Sequence, residues 1–168
     1  MTRNVLFLCT GNSARSILAE ALLNKLGEGR FTAYSAGSHP RGEPNPLALK
    51  LLQEMGHDTN GLRSKSWTEF AAMDAPFLHC VLTVCDNAKG ETCPILPGHP
   101  VQTHWGIPDP AGETDDGKME DFRIACDRLS SRIEAMLQLD EDQLPPREWR
   151  DRLTAIGRDM EGAADGTV

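Results

Sequence analysis

Short apolar runs punctuate this chain, and between them the apolar positions fall at helical spacing. Residues 5–9, VLFLC, are apolar without alternation, the pattern of a parallel strand buried on both faces. After the polar stretch CTGNSARS begins, Ile17, Leu18, Ala21, Leu22 and Leu26 recur every three or four positions. They predict a helix over 14–26, with Gly27 as its stop. FTAYSAGS (31–38) reads as a second strand ending in small residues, and HPRGEPNP as a loop. PLALKLLQEMG (46–56) opens on proline and closes on glycine, the usual punctuation of a helix. A short helix is predicted over 67–73, a buried strand over 77–85 and a fourth strand over 101–105. DNAKGETCPILPG between those strands is polar and marked by Gly and Pro, hence a loop or short helix. KMEDFRIACDRLSSRIEAMLQL (118–139) is a long amphipathic helix, with Cys126 placed in the core beside Ile124 and Leu129. Residues 1–140 then make one domain, and 141–168 an acidic carboxyl-terminal extension with one helix over 147–159 and a disordered tail.

Alternating strands and helices predict an α/β fold with a parallel sheet covered on both faces. In such sheets ligands bind beyond the carboxyl ends of the strands, at a switch point. Cys9 and Cys85 both stand at such ends. Cys80, further back on the same strand as Cys85, points into the strand interior and reads as core. The five cysteines (9, 80, 85, 93 and 126) are an odd set and argue against a structural disulfide framework. No apolar stretch approaches the roughly 18 residues of a membrane span, and VLFLC is too short for a secretion signal. A cytoplasmic location follows as the expectation. The net charge of -8 should repel nucleic acid, so any anion site has to be a local pocket of amides and arginine.

CTGNSARS has the makings of that pocket. Thr10, Gly11, Asn12, Ser13, Ala14, Arg15 and Ser16 form a loop long enough to wrap a tetrahedral oxyanion. Its backbone N–H groups would point inward, and the following helix would add its positive end. Gly11 permits backbone conformations closed to other residues, and Asn12 tolerates the left-handed region. Arg15 offers a bidentate fork, and the same field favours the thiolate of Cys9. Ser16 is a candidate hydrogen-bond donor to that sulfur. The stretch therefore reads as a nucleophile held under a bound oxyanion.

Three further stretches, YSAGSHPRGEPNPLA, VLTVCDNAKGETCPILPG and HWGIPDPAG, join VLFLCTGNSARSILAEALL in a specific likeness. Over roughly residues 4–140 the chain resembles the low-molecular-weight protein tyrosine phosphatase superfamily, and within it the arsenate reductase branch coupled to thioredoxin. The resemblance implies a flavodoxin-like three-layer sandwich with a four-stranded parallel sheet. It implies an enzyme of arsenical resistance that converts arsenate to arsenite, with Cys9 as nucleophile and Asp109 as general acid. Cys85 would be the first resolving thiol and Cys93 the second, leaving a redox-active Cys85–Cys93 disulfide for thioredoxin. The segment DNAKGET is one residue longer than the usual reductase loop. Some relatives hold a potassium ion through positions matching Asn12, Glu20 and Ser35, but the fourth position here is Thr68 or Glu69 and no aspartate. No tightly bound cofactor and no resident metal are expected, and a monomer suffices.

The nearest alternative is a phosphatase acting on phosphotyrosine or small phosphoesters. It is poorly supplied with aromatics, because Pro110, Ala111 and Gly112 follow the acid and Tyr34 is the only tyrosine. Trp105 reads as a buried aromatic, or else as part of the site rim. A second alternative keeps arsenate chemistry but uses a small thiol with glutaredoxin or mycoredoxin, making Cys93 dispensable. A metal-binding sensor built from Cys80, Cys85, Cys93, His99 and His104 lacks the paired C-x2-C spacing of zinc sites.

Overall fold

The computed structural model describes residues 2–84, 100–111 and 117–164, with side chains as far as 158. Cys85 and Cys93 lie outside the described residues, as does the tail beyond Ala164. Strands β1 (Arg3–Cys9), β2 (Phe31–Gly37), β3 (Cys80–Thr83) and β4 (Val101–His104) form one parallel sheet in the order β2-β1-β3-β4. From β1 the chain moves one way to β2, then crosses back to β3 and β4. The carboxyl ends of β1 and β3 therefore flank the switch point, where Cys9 is paired with Gly37 and Leu8 with Thr83. The helices are α1 (Arg15–Leu26), α2 (Pro46–Glu54), α3 (Met119–Leu137) and α4 (Pro146–Ala164), with a single 3-10 turn at Trp67–Phe70.

Strand β1 lacks alternation because both of its faces are buried. Val5, Phe7 and Cys9 face a cluster shared with Ile17, Leu22, Leu51, Leu52, Phe122 and Leu129 of the helices. Leu6 and Leu8 face a smaller cluster with Ala36, Phe70, Leu78 and Val81. Helix α1 is wrapped on nearly every side, since Ser16, Ile17, Leu18, Ala19, Ala21, Leu22 and Leu23 are all buried. Such a helix is held by packing more than by its own propensity.

Several predicted boundaries move. The strand expected over 77–85 has its ladder only at Cys80–Thr83, although the N–H groups of His79 and Val84 still donate to Asn4 and Leu8 carbonyls. The helix expected over 67–73 is the 3-10 turn, which Ser66 caps by accepting from the Thr68 N–H. Leu26 is 43% exposed at the end of α1, and Ile124 is 44% exposed. The inward stripe of α3 runs through Phe122, Ala125, Cys126, Leu129, Ile133 and Met136, and Ile124 falls off that spacing. Cys80 and Cys126 are buried as expected, and Trp105 is a core residue whose Nε1 donates to the Leu153 carbonyl at 2.9 Å.

Helix α4 is longer than the expected 147–159 and packs directly on the sheet. Trp149 stacks on Phe31 at 6.4 Å, and Leu153 is fully buried. A Cβ at Gly157 would meet the His104 carbonyl oxygen at 2.7 Å, so glycine is what lets α4 approach β4. Arg30 ties the α3–α4 turn down, donating to the Leu137 and Leu139 carbonyls and pairing with Glu141 at 2.6 Å. Among the described residues no helix is long and apolar enough to cross a membrane.

Candidate active site

Cys9 ends β1 and is buried, and the chain from Thr10 to Ala14 loops from it to the first turn of α1. The loop carbonyls are engaged on the outside. Those of Thr10, Gly11 and Ser13 accept from the backbone N–H groups of His39, Arg41 and Asn45 at 2.9, 3.0 and 2.9 Å. No cis peptide occurs among the described residues, so the N–H across each of these peptides points the opposite way. That turns the amides of Gly11, Asn12 and Ala14 inward. Helix α1 adds its own, for its cap position is Ala14, which provides no side-chain acceptor, and no acidic residue stands in its first turn. Helix starts favour Ser, Thr, Asp or Asn at this position; here the cap residue's side chain takes up none of the amides, an arrangement that suits an anion.

Two residues allow the loop to lie where it does. The left-handed residue is Asn12, at φ 44°, whereas Gly11, expected to use glycine's freedom, keeps an ordinary φ. At Gly37 the reason for glycine is space. A Cβ there would lie 2.5 Å from the Thr10 carbonyl oxygen and 3.0 Å from Asn12 N. The loop rests on bare backbone at the end of β2.

Behind the loop sits a buried polar cluster. Asn12 donates through Nδ2 to Ser16 Oγ at 2.8 Å and to Ser35 Oγ at 3.0 Å. Ser35 donates to Glu20 Oε1 at 2.5 Å. The residue that completes the cluster was not among those expected. Lys65 gives its N–H to Asn12 Oδ1 at 2.8 Å, and its ammonium pairs with Glu20 Oε1 at 3.7 Å. Thr68 and Glu69, expected at the fourth position of a potassium site, are occupied elsewhere: Thr68 bonds Ser66, and Glu69 pairs with Arg63 at 2.6 Å. Burial pushes the Glu20 carboxyl up, against the pull of Lys65 and the Ser35 hydrogen bond. Burial likewise pushes the Lys65 ammonium down, against Glu20. A potassium ion does not fit this arrangement, because the Glu20 carboxylate already faces the Lys65 ammonium.

Arg15 joins the loop to the strand β4 side. Its NH1 donates to the Ile107 carbonyl at 3.0 Å and its NH2 lies 3.6 Å from Asp109 Oδ2. Its Nε is buried and meets no acceptor among the described residues. Asp109 is partly exposed and accepts from the Ala111 N–H through Oδ1, so the carboxylate is held at the rim facing Arg15. Of the predicted site residues, Cys9, the loop from Thr10 to Ser16, Arg15 and Asp109 thus converge, while Cys85 and Cys93 lie outside the described residues. Cys80 belongs to the apolar core, where burial pushes its thiol far up and keeps it protonated.

A buried thiol at the head of a loop that leads into an uncapped helix starting on Arg15, with the Asp109 carboxylate 3.6 Å from that arginine, is an arrangement suited to attack on a tetrahedral oxyanion. The comparisons with known proteins bear on the fold that carries these residues. The sequence profile of the low molecular weight phosphotyrosine protein phosphatases matches residues 4–144. This chain belongs to that family. The match ends before α4, so the helix that stacks Trp149 on Phe31 lies beyond the shared part.

An arsenate reductase of Oceanobacillus iheyensis is 34% identical over 139 residues, covering 82% of this chain and 96% of that one. A thioredoxin-dependent arsenate reductase of Corynebacterium glutamicum superposes with a TM-score of 0.59 at 25% identity. That likeness covers 82% of this chain and 61% of the Corynebacterium chain, so this chain spans less than two thirds of that protein. A low molecular weight protein tyrosine phosphatase of T. tengcongensis superposes with a TM-score of 0.64 at 26% identity, covering 82% of this chain and 99% of that one. Reductase and phosphatase thus share the fold. The choice between their reactions falls to particular side chains.

Proposed function

We propose that this chain reduces arsenate to arsenite by a relay of three thiols, with thioredoxin as the final reductant. The observation that carries the oxyanion chemistry is the open start of α1, which meets Cys9 and Arg15 on one loop. Reduction is supported by relatives matched over nearly their whole length, such as the Oceanobacillus arsenate reductase. It is also supported by the aromatic residues. Trp105 is fully buried and Tyr34 packs edge-on against Phe70 in the smaller cluster, so neither is free to sandwich a phosphotyrosine ring.

In this reading the amides from Thr10 to Ser16 and the Arg15 fork hold arsenate over Cys9. Ser16 Oγ accepts from Asn12, which leaves its own proton to donate into the loop. The Cys9 thiolate attacks arsenic, and the displaced oxygen leaves as water after taking a proton from Asp109. By resemblance, the thiolate of Cys85 then attacks the sulfur of Cys9. The S–As bond breaks with its electron pair on arsenic, As(V) becomes As(III), and arsenite leaves behind a Cys9–Cys85 disulfide. Cys93 attacks Cys85 and frees Cys9, and the dithiol of thioredoxin reduces the Cys85–Cys93 disulfide.

The test is arsenate-dependent NADPH consumption with thioredoxin and thioredoxin reductase, beside phosphoester hydrolysis by the same samples. Cys9→Ser should abolish both activities. Cys85→Ser and Cys93→Ser should stop reductase turnover and leave hydrolysis in place. A wild-type protein that hydrolyses phosphoesters without turning over arsenate would overturn the reading. Arsenate turnover that survives Cys93→Ser with glutaredoxin or mycoredoxin, and not with thioredoxin, would transfer the last step to a small thiol.

A further inference from the structure

The cluster behind the cradle already contains a cation. Lys65 engages it with main chain and side chain together: its N–H clamps Asn12 Oδ1 at 2.8 Å and its carbonyl accepts from the Gly37 N–H at 2.9 Å. Its ammonium donates to the Arg63 carbonyl at 3.0 Å and pairs with Glu20 at 3.7 Å. Glu20 in turn accepts from Ser35, and Ser35 and Ser16 accept from Asn12, the one non-glycine residue with a left-handed backbone among the described residues. The charge on Lys65 is therefore linked, through Glu20 and Ser35, to the residue that bends the oxyanion loop. Arg63, the other cation nearby, is committed to Glu69 by two hydrogen bonds of 3.0 and 2.6 Å. An alkali ion added here would place a second positive charge over the same buried carboxylate, which low local polarity makes unfavourable.

We propose that the Lys65 ammonium replaces a bound alkali cation in this protein, so that the loop keeps its oxyanion-binding shape without potassium. This rests on the cradle binding an oxyanion and does not depend on the thiol relay proposed above. Lys65 touches no reacting atom; it is a positioning residue that acts through Glu20, Ser35 and Asn12. Removing its charge while leaving space should convert the protein into a potassium-dependent one. The space is reachable, because Glu20 also lines a cleft open to solvent between Asn24, Lys25 and His57.

Calorimetric titration with inorganic phosphate tests this, in potassium, sodium or choline chloride at equal ionic strength. Wild type should bind phosphate equally in all three salts. Lys65→Ala should bind about tenfold more weakly in choline, the scale on which orienting partners act, and recover in potassium. Lys65→Met should bind weakly in every salt, because its side chain fills the space without supplying charge. A wild-type affinity that rises with potassium would overturn the proposal. So would wild-type affinity of Lys65→Ala in choline, or failure of potassium to restore it. If Lys65→Ala does not fold, the salt response of wild type and the weakness of Lys65→Met still decide. Phosphate binding with the expected salt pattern, in a protein that turns over no arsenate, would remove the reductase reading and leave this one standing.

Discussion

Two helix starts lie side by side in this molecule and are built in opposite ways. Helix α2 begins conventionally: Asn45 is extended, its Oδ1 accepts from the Leu47 N–H at 2.8 Å, and Pro46 occupies a position that needs no hydrogen. Helix α1 begins at Ala14, with no side-chain acceptor. The two ends touch, since the Asn45 N–H donates to the Ser13 carbonyl at 2.9 Å. A missing cap costs a helix about 1 kcal/mol, so α1 gives up stability that α2 retains. The comparison shows where the fold departs from its own rules. The closed end is structure, and it holds in place the open end, where the proposed oxyanion would bind. Departures of this kind are expected at functional sites.

The strongest way to break the open end is Arg15→Lys. Lysine cannot present a fork to two oxygens, and it gives up the guanidinium contact to the Ile107 carbonyl. Turnover should fall by ~10²–10³-fold, the scale for loss of one positioned donor to a developing anion. Single-turnover phosphoester hydrolysis reads it without involving the other thiols, and near wild-type rates would remove Arg15 from the site. Gly37→Ala attacks the loop from beneath. Its methyl group would press on the Thr10 carbonyl, at a cost of about 1–3 kcal/mol in strain. Phosphate affinity should drop together with the thermal midpoint. Unchanged affinity would mean that the loop does not need its seat on β2. Asn45→Ala tests the closed end and should do least. It removes the α2 cap for about 1 kcal/mol, read as a shift in urea midpoint, while the backbone N–H still holds Ser13. Phosphate affinity should survive. A large loss would show that the two helix starts are not separable.

Much of this site was legible in a single stretch. The apolar run into Cys9, the polar loop and the helical spacing after it required only local rules, and the structure agrees with them from Arg3 to Leu26. Lys65 escaped because its partners are distant in sequence. Asn12 and Lys65 are 53 residues apart, and they meet only because the chain after α2 returns to form an isolated bridge between Gly37 and Ser66. Reading the fourth position of the cluster at Thr68 or Glu69 missed by a few residues what the bridge register assigns to Lys65. The same limit affects α4. Its composition suggests a polar extension, yet Trp149 and Leu153 belong to the main core, where Phe31 and Trp105 receive them.

What the sequence determined by itself was the chemistry of nearest neighbours: a strand ending in a thiol, a loop of small and polar residues, and a helix that starts on arginine. These features depend on backbone propensity and on periods of two and 3.6, which operate within a few residues. Tertiary structure alone decided which distant groups complete them. Arg15 reaches Ile107, 92 residues on, because the strand order places β3 beside β1 and β4 beside β3. Lys65 reaches Glu20 because the chain after α2 is laid against the end of β2. Such meetings depend on loop closure and packing of the whole chain, and no local pattern encodes them.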